Sequence, residues 1–191
     1  MSCISELTKD ILVDCDASQG IETNVVLINS KDLDRTASTV TGKEVVINLK
    51  SGTKGFKLEG IKQINSYRST PEINDDSLNK FNHEFDGRIY DLSAETRVEI
   101  DALGNGANLI AVVEKKYKGT DNESAFVVLG FQNGLELSEG AENSAENDGA
   151  FTFTLASNPL ALEPKSPLIY FDTDYDTSLT AFENAFDNTT P

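Results

Sequence analysis

A chain of 191 residues suits one domain with room for a sizeable core. Its 32 acidic residues against 16 basic ones leave a formal charge of −16, which excludes ordinary nucleic-acid binding through phosphate neutralisation. No apolar run approaches the length of a bilayer span, so a soluble chain with no membrane partner is expected. The start MSCISELTKDILVDC lacks the basic-then-apolar order of a secretory leader.

The charge is unevenly spread. Up to Thr120 there are 19 acidic and 15 basic residues, whereas from Asp121 onward 13 acidic residues face the single Lys165. Cys3 and Cys15 are the only cysteines. Two thiols near one end make neither a disulfide framework nor a zinc site, so free thiols in a reducing compartment are expected.

Residues 1–20 form a polar N-terminal arm with one apolar knot, Ile11-Leu12-Val13. Residues 21–29 (IETNVVLIN) are predicted to be the first strand, 30–42 a polar loop, 43–50 (KEVVINLK) a second strand and 55–59 a third. The alternation of Val45, Ile47 and Leu49 suggests that these strands form a meander. Residues 62–82 are polar, with one proline and the pair Asp75-Asp76, and predict a long loop of the kind that is functional or disordered. Strand character returns over 81–92, with Phe85, Ile89 and Tyr90 as candidates for burial around an Asp86-Gly87 turn.

Residues 93–104 carry two signals. Val98, Ile100 and Ala102 alternate with charged residues, which suits a strand. Ser93 as a cap, Glu95 in the first turn and Gly104 at the end favour a helix. Gly104-Asn105-Gly106 follows this segment and precedes a strand, the reverse of a dinucleotide loop. Residues 108–117 and 125–131 (AFVVLGF) are apolar strands joined by the turn-forming KGTDNES, so they should pair antiparallel. Asn133-Gly134 then turns the chain into Leu135-Glu136-Leu137.

Residues 138–149 form an acidic, solvated loop, and 150–155 (AFTFTL) a half-buried strand. Residues 157–191 read as an extended C-terminal arm: three prolines before Leu168, a short strand over 168–171, and a helix over 177–186 built on Leu179, Phe182 and Phe186. The fold class is mainly β (α+β), an antiparallel sandwich or barrel. It has one central flanking helix, a long inter-strand loop at 62–82 and a short C-terminal helix.

Little catalytic chemistry is offered. His83 is the only histidine, has no nucleophile elbow for company, and reads as a solvated polar residue. Asp172, Asp174, Asp176 and Glu183 stand at positions 1, 3, 5 and 12 of a calcium-loop spacing. Thr177 occupies the place of the obligatory glycine and the incoming segment is extended, so no metal site is assigned and an acidic tail leading into a helix is expected.

The tract 125–155 holds Val128-Leu129-Gly130, then Asn133-Gly134-Leu135, an acidic loop, and Asp148-Gly149 opening a strand. It resembles the C-terminal half of tail-tube-like structural proteins of phages infecting Bacteroidetes. The start, Met1-Ser2-Cys3 with Gly20-Ile21 before a Val/Ile strand, is similar to the same family. The resemblance implies a sandwich with a flanking helix, rings of six copies stacked into a tube, and segment 62–82 reaching the adjacent ring. It further implies a virion location after synthesis in the host cytoplasm, other virion proteins at the ends of the assembly, and DNA passing through without specific binding. It supplies no catalytic residue, cofactor or metal, so no enzyme is expected. An acidic bore would let DNA slide, with Glu99 or Asp101, Glu114 and Glu136 as contributors by alternation. The alternatives are a head decoration or head–tail connector protein, or a calcium-dependent surface- or carbohydrate-binding sandwich. The absence of Trp counts against the sugar-binding version.

Overall fold

The run LIAVVEK forms strand β7 (Leu109–Lys115), in which every residue from Leu109 to Glu114 is buried. Alternate residues of a strand point to opposite faces, so consecutive burial means that both faces are covered. Ile110 and Val112 enter one core; Leu109, Ala111 and Val113 enter another. The computed structural model describes residues 7, 9–11, 18–61 and 64–189, and the flanking strands share this division. Strand β1 (Ile21–Asn29) sends Val26 and Ile28 into the first core and Val25 into the second. Strand β8 (Phe126–Leu129) sends Phe126 and Val128 into the first core, and Val127 and Leu129 into the second.

Strand β7 pairs antiparallel with β1 on one side and β8 on the other. Beyond β1 lies β4 (Phe56–Glu59). Beyond β8 come β11 (Leu168–Tyr170), β3 (Glu44–Val46) and β2 (Thr39–Thr41). A second set of strands, in the order β9 (Leu135–Glu142), β10 (Phe151–Ser157), β6 (Lys80–Ile89) and β5 (Ser66–Glu72), is antiparallel throughout. It joins the first set by backbone pairing at Leu109–Leu135. The result is a mainly β, sandwich-like α+β fold with an eleven-stranded mixed sheet and two helices.

The second core lies between the two strand sets, where Phe85, Phe153 and Leu155 meet Val25, Ala111 and Leu129. Close approach is achieved at Gly87, where a Cβ would stand 2.6 Å from the Phe153 ring. The first core is closed by helix α2 (Tyr175–Glu183). The Phe182 ring lies tilted 5.0 Å from that of Phe126, and Phe186 meets Tyr170 edge-on at 5.0 Å. Helix α1 (Ala94–Gly104) lies against the second core through Leu103 and Ile100 and is tied to β9 by the Arg97–Glu142 ion pair.

Several expectations change. Segment 43–50 does not join β1 in a meander: β3 ends at Val46, pairs with β2 and runs parallel to β11, while β4 takes the edge of β1. Ile47 and Leu49 lie beyond the β3 ladder but stay buried, and Leu49 keeps only an isolated antiparallel bridge to Leu33, so their alternation reports burial more than a continuous strand. Asp86-Gly87 is no turn; it sits mid-strand in β6, where Gly87 makes room for Phe153 and Asp86 accepts hydrogen bonds from Ser66 and Thr154. Within the long predicted loop, of which residues 62 and 63 lie outside the described residues, β5 and the start of β6 form a strand hairpin with its tip at 73–79. The predicted C-terminal arm is not extended throughout: β11 inserts between β3 and β8, and α2 packs on the core. Of the N-terminal arm, Leu7 and Ile11 are exposed, and both cysteines lie outside the described residues.

The helix over 93–104 prevails over the strand alternative because its ends are satisfied. Ser93 Oγ accepts from Thr96 N at 3.4 Å, and Asp91 holds Ser93 N–H at 3.0 Å. At the other end Gly106, with φ +90°, lets its own N–H bond Leu103 O and that of Ala107 bond Ala102 O. This is a Schellman cap whose left-handed residue is Gly106 and not Gly104. Gly104→Ala should therefore raise stability by about 0.5–1 kcal/mol, since a Cβ there meets open space. Gly106→Ala should lower it by about 1–2 kcal/mol. Urea unfolding of the two variants checks the assignment, and the reverse order would return the cap to Gly104.

Candidate functional site

The β5–β6 hairpin ends in a surface built by residues far apart in sequence. At the tip, Asn79 Oδ1 accepts from Asn74 N and Asn74 Oδ1 accepts from Asp76 N, both at 2.9 Å, so side chains close the turn. Ile73 is 73% exposed, Leu78 62% and Leu160 98%. They line a shallow groove of about 340 Å³ together with Pro159 and Leu162. Glu72, Asp75 and Asp76 are exposed around it, with Lys80 the cation at the base of the tip. Three large apolar side chains thus stand exposed on one shared groove.

The base of the hairpin is clamped by a buried polar cluster. Phe81 and Glu163 exchange backbone hydrogen bonds at 2.8 and 3.0 Å, which holds segment 158–163 beside β6. The Glu163 carboxylate is 3% exposed as a residue and accepts from Asn133 N at 2.7 Å and Gln132 N at 3.2 Å. Asn133 Nδ2 returns a bond to Leu162 O at 2.8 Å. Arg35 donates to the carbonyls of Phe131 and Gln132 from the other side. A single carboxylate thus ties the 130–134 turn to the arm that carries Leu160. Burial raises the pKa of Glu163, with the amides of Asn133, Gln132 and Gly134 and the charge of Arg35 pulling it back.

His83 belongs to the same cluster, which corrects its expected solvation. It is 2% exposed because it shares the inward face of β6 with Phe85 and Gly87. Its Nδ1 accepts from Gly130 N at 3.2 Å, and its backbone N–H is held by Ser157 Oγ at 3.0 Å. The Nδ1 bond places the ring proton on Nε2, which has no hydrogen-bond partner among the described residues. Burial lowers its pKa to about 4; the Lys165 backbone favours the charged form and Lys43 opposes it, so burial wins. The arrangement locks β6 to the turn that follows β8.

The other residues singled out in the sequence separate, each for a reason of its own. Asp174 caps α2, accepting from Thr177 N at 2.7 Å, and Glu183 ends the same helix. Asp172, Asp174, Asp176 and Glu183 therefore lie along a turn and a helix instead of around a loop. No group of three His, Cys, Asp or Glu that could hold a metal occurs among the described residues. Glu114 is buried and paired with Lys118 and Tyr175, and Glu136 is half-buried with an amide of Asn158 on its carboxylate. Neither is free to line a bore; Glu99 and Asp101 are exposed on α1. Among the described residues no helix is long and apolar enough to cross a membrane.

Comparison with protein-family models, curated proteins and solved structures finds no match to this chain. The surface must therefore be judged on its own geometry. Glu163 and Arg35 are silent in the sequence, because neither sits in a periodic segment. The burial of His83 is legible from its spacing to Phe85, and the tip from Ile73 and Leu78 standing alone among polar residues.

The lock has a pH signature. His83 has a folded pKa near 4 against 6.5 unfolded, so the unfolded chain binds the extra proton. Its contribution is complete above pH 6.5 and is lost as pH falls towards 4, a loss on the order of 3 kcal/mol. Glu163, with a raised pKa, acts in the opposite sense, since its native form gains a proton more readily as pH falls. The difference between wild type and His83→Asn isolates the histidine, because asparagine keeps an acceptor for Gly130 N–H without titrating. Urea unfolding from pH 7 to 4 should show a steeper decline for wild type; parallel curves would refute the buried neutral ring. Glu163→Ala should cost about 2–4 kcal/mol at pH 7 by stranding two amides.

Proposed function

We propose that this chain is a virion structural protein, a tail-tube-like subunit that acts by associating with copies of itself. The observation that carries the proposal is the clamped hairpin with an exposed apolar tip. A free hairpin with Ile73 and Leu78 in water is a liability to a monomer. Here side chains hold it in shape, and a buried carboxylate and a buried imidazole fix its base. Fixing a surface before contact lowers the ordering cost of association.

The strand sets add support. Strands β2, β4 and β5 stand at the edges of the sheet among the described residues, and open edges are templates for pairing with another chain. The acidic surplus keeps such copies apart until salt screens them, with a screening length of roughly 8 Å at physiological ionic strength. Stacked rings of six copies, conducting DNA without binding it, are the finer form of the proposal and follow from the sequence resemblance.

Negative-stain microscopy of the purified protein at moderate salt should show rings or tubes. Compact single particles at every concentration would overturn the proposal. Replacing residues 73–79 with Asn-Gly should leave the thermal transition within a few degrees while abolishing those assemblies, because the tip is exposed throughout. Assemblies that persist in this variant would remove the tip from the contact.

A further inference from the structure

Two patches on this chain agree in polarity and oppose each other in charge. The first is the hairpin tip, with Ile73, Leu78 and Leu160 exposed and Glu72, Asp75 and Asp76 outnumbering Lys80. The second follows β4, whose outer edge pairs with no strand among the described residues. Phe56 and Ile61 there are each 51% exposed. Lys50, Lys54 and Lys57 are exposed in the same stretch against the single Glu59. Lys54 and Lys57 make no ion pair among the described residues.

A surplus of cations is out of place on this molecule. The whole chain has two carboxylates for every cation, whereas residues 50–61 hold three lysines to one glutamate. Positive charge beside exposed aromatic and aliphatic side chains favours an acidic, apolar partner. The tip answers that description, and a second copy supplies it at equal concentration.

We infer that the β4 edge of one copy receives the β5–β6 hairpin tip of a second copy. Phe56 and Lys57 leave opposite faces of β4, so the tip straddles its open edge: Phe56 and Ile61 cover Ile73 and Leu78, while the long side chains of Lys54 and Lys57 reach Asp75 and Asp76. This rests on the self-association proposed above and names its two surfaces. Tip and receptor are different patches on different strand sets, so the contact is heterologous: each copy gives one tip and receives another. Such a contact propagates, closing into a ring or running on as a filament according to the rotation between copies.

The test uses the full-length chain in two charge-reversed forms, Lys54→Glu with Lys57→Glu, and Glu72→Lys with Asp75→Lys and Asp76→Lys. All the changed residues are exposed, so unchanged thermal transitions are expected and serve as the folding control. Sedimentation should show the wild type associating and each variant alone associating roughly tenfold more weakly or worse, from like charges brought together. An equimolar mixture of the two variants should recover association, because each reversed surface then meets its complement. Association of the Lys54→Glu, Lys57→Glu chain at wild-type strength would overturn the inference, leaving those lysines as guards of an open edge while self-association stands. Two weak variants that fail to rescue each other would overturn the pairing of these surfaces. A wild type that never associates would instead defeat the underlying proposal.

Discussion

Burial of β7 on both faces is the constraint from which the architecture follows. A strand covered on one side alternates apolar and polar residues; Leu109 to Val113 cannot, because each residue enters one core or the other. Two cores require two covering layers. The chain supplies one as strands β9, β10, β6 and β5, and the other as helix α2 with the strands curling past β8. The aromatic residues are divided between the layers, Phe85 and Phe153 on one side, Phe126, Tyr170, Phe182 and Phe186 on the other. Each fully buried aromatic side chain contributes on the order of 2–3 kcal/mol, so neither layer is dispensable.

With the core provided for, the polar cluster around Glu163 has a different part to play. A buried carboxylate is costly to desolvate, and in a chain already at −16 one more charge adds nothing to solubility. What it supplies is position: amides of the 130–134 turn converge on it, and its own backbone is sewn to Phe81. His83 reinforces the same turn through Gly130. Two titratable groups are committed to fixing the root of a hairpin whose far end is apolar and exposed.

The legible parts of the fold are those set by neighbours in sequence. Strands β1, β7, β8 and β10 stand where apolar periodicity places them, and α1 where Ser93 caps it. Pairing partners are less legible. The parallel match of β3 with β11 brings Val45 beside Tyr170 across more than half the chain, and no local pattern announces that. The same holds for the site: the tip's apolar residues can be seen, but Glu163 lies among prolines and exposed residues, with nothing nearby to signal burial. Length alone makes 62–82 look like a loop, because a hairpin exposed on most of its surface carries few apolar residues to betray its strands.

The backbone pair Leu109–Leu135, the one strand pairing between the two sets among the described residues, bears on how the molecule opens. Within each set, long ladders must break together; between them, side-chain contact and that one pair are the bond. Native-state hydrogen exchange in such a molecule divides into cooperative units. The amides of β7, covered on both sides, would be released only with global unfolding, while β5 and its tip would exchange through a smaller opening that leaves the β1–β7–β8 centre intact. The hairpin is thereby placed in the less protected unit, where it can yield to a neighbouring surface without putting the first core at risk.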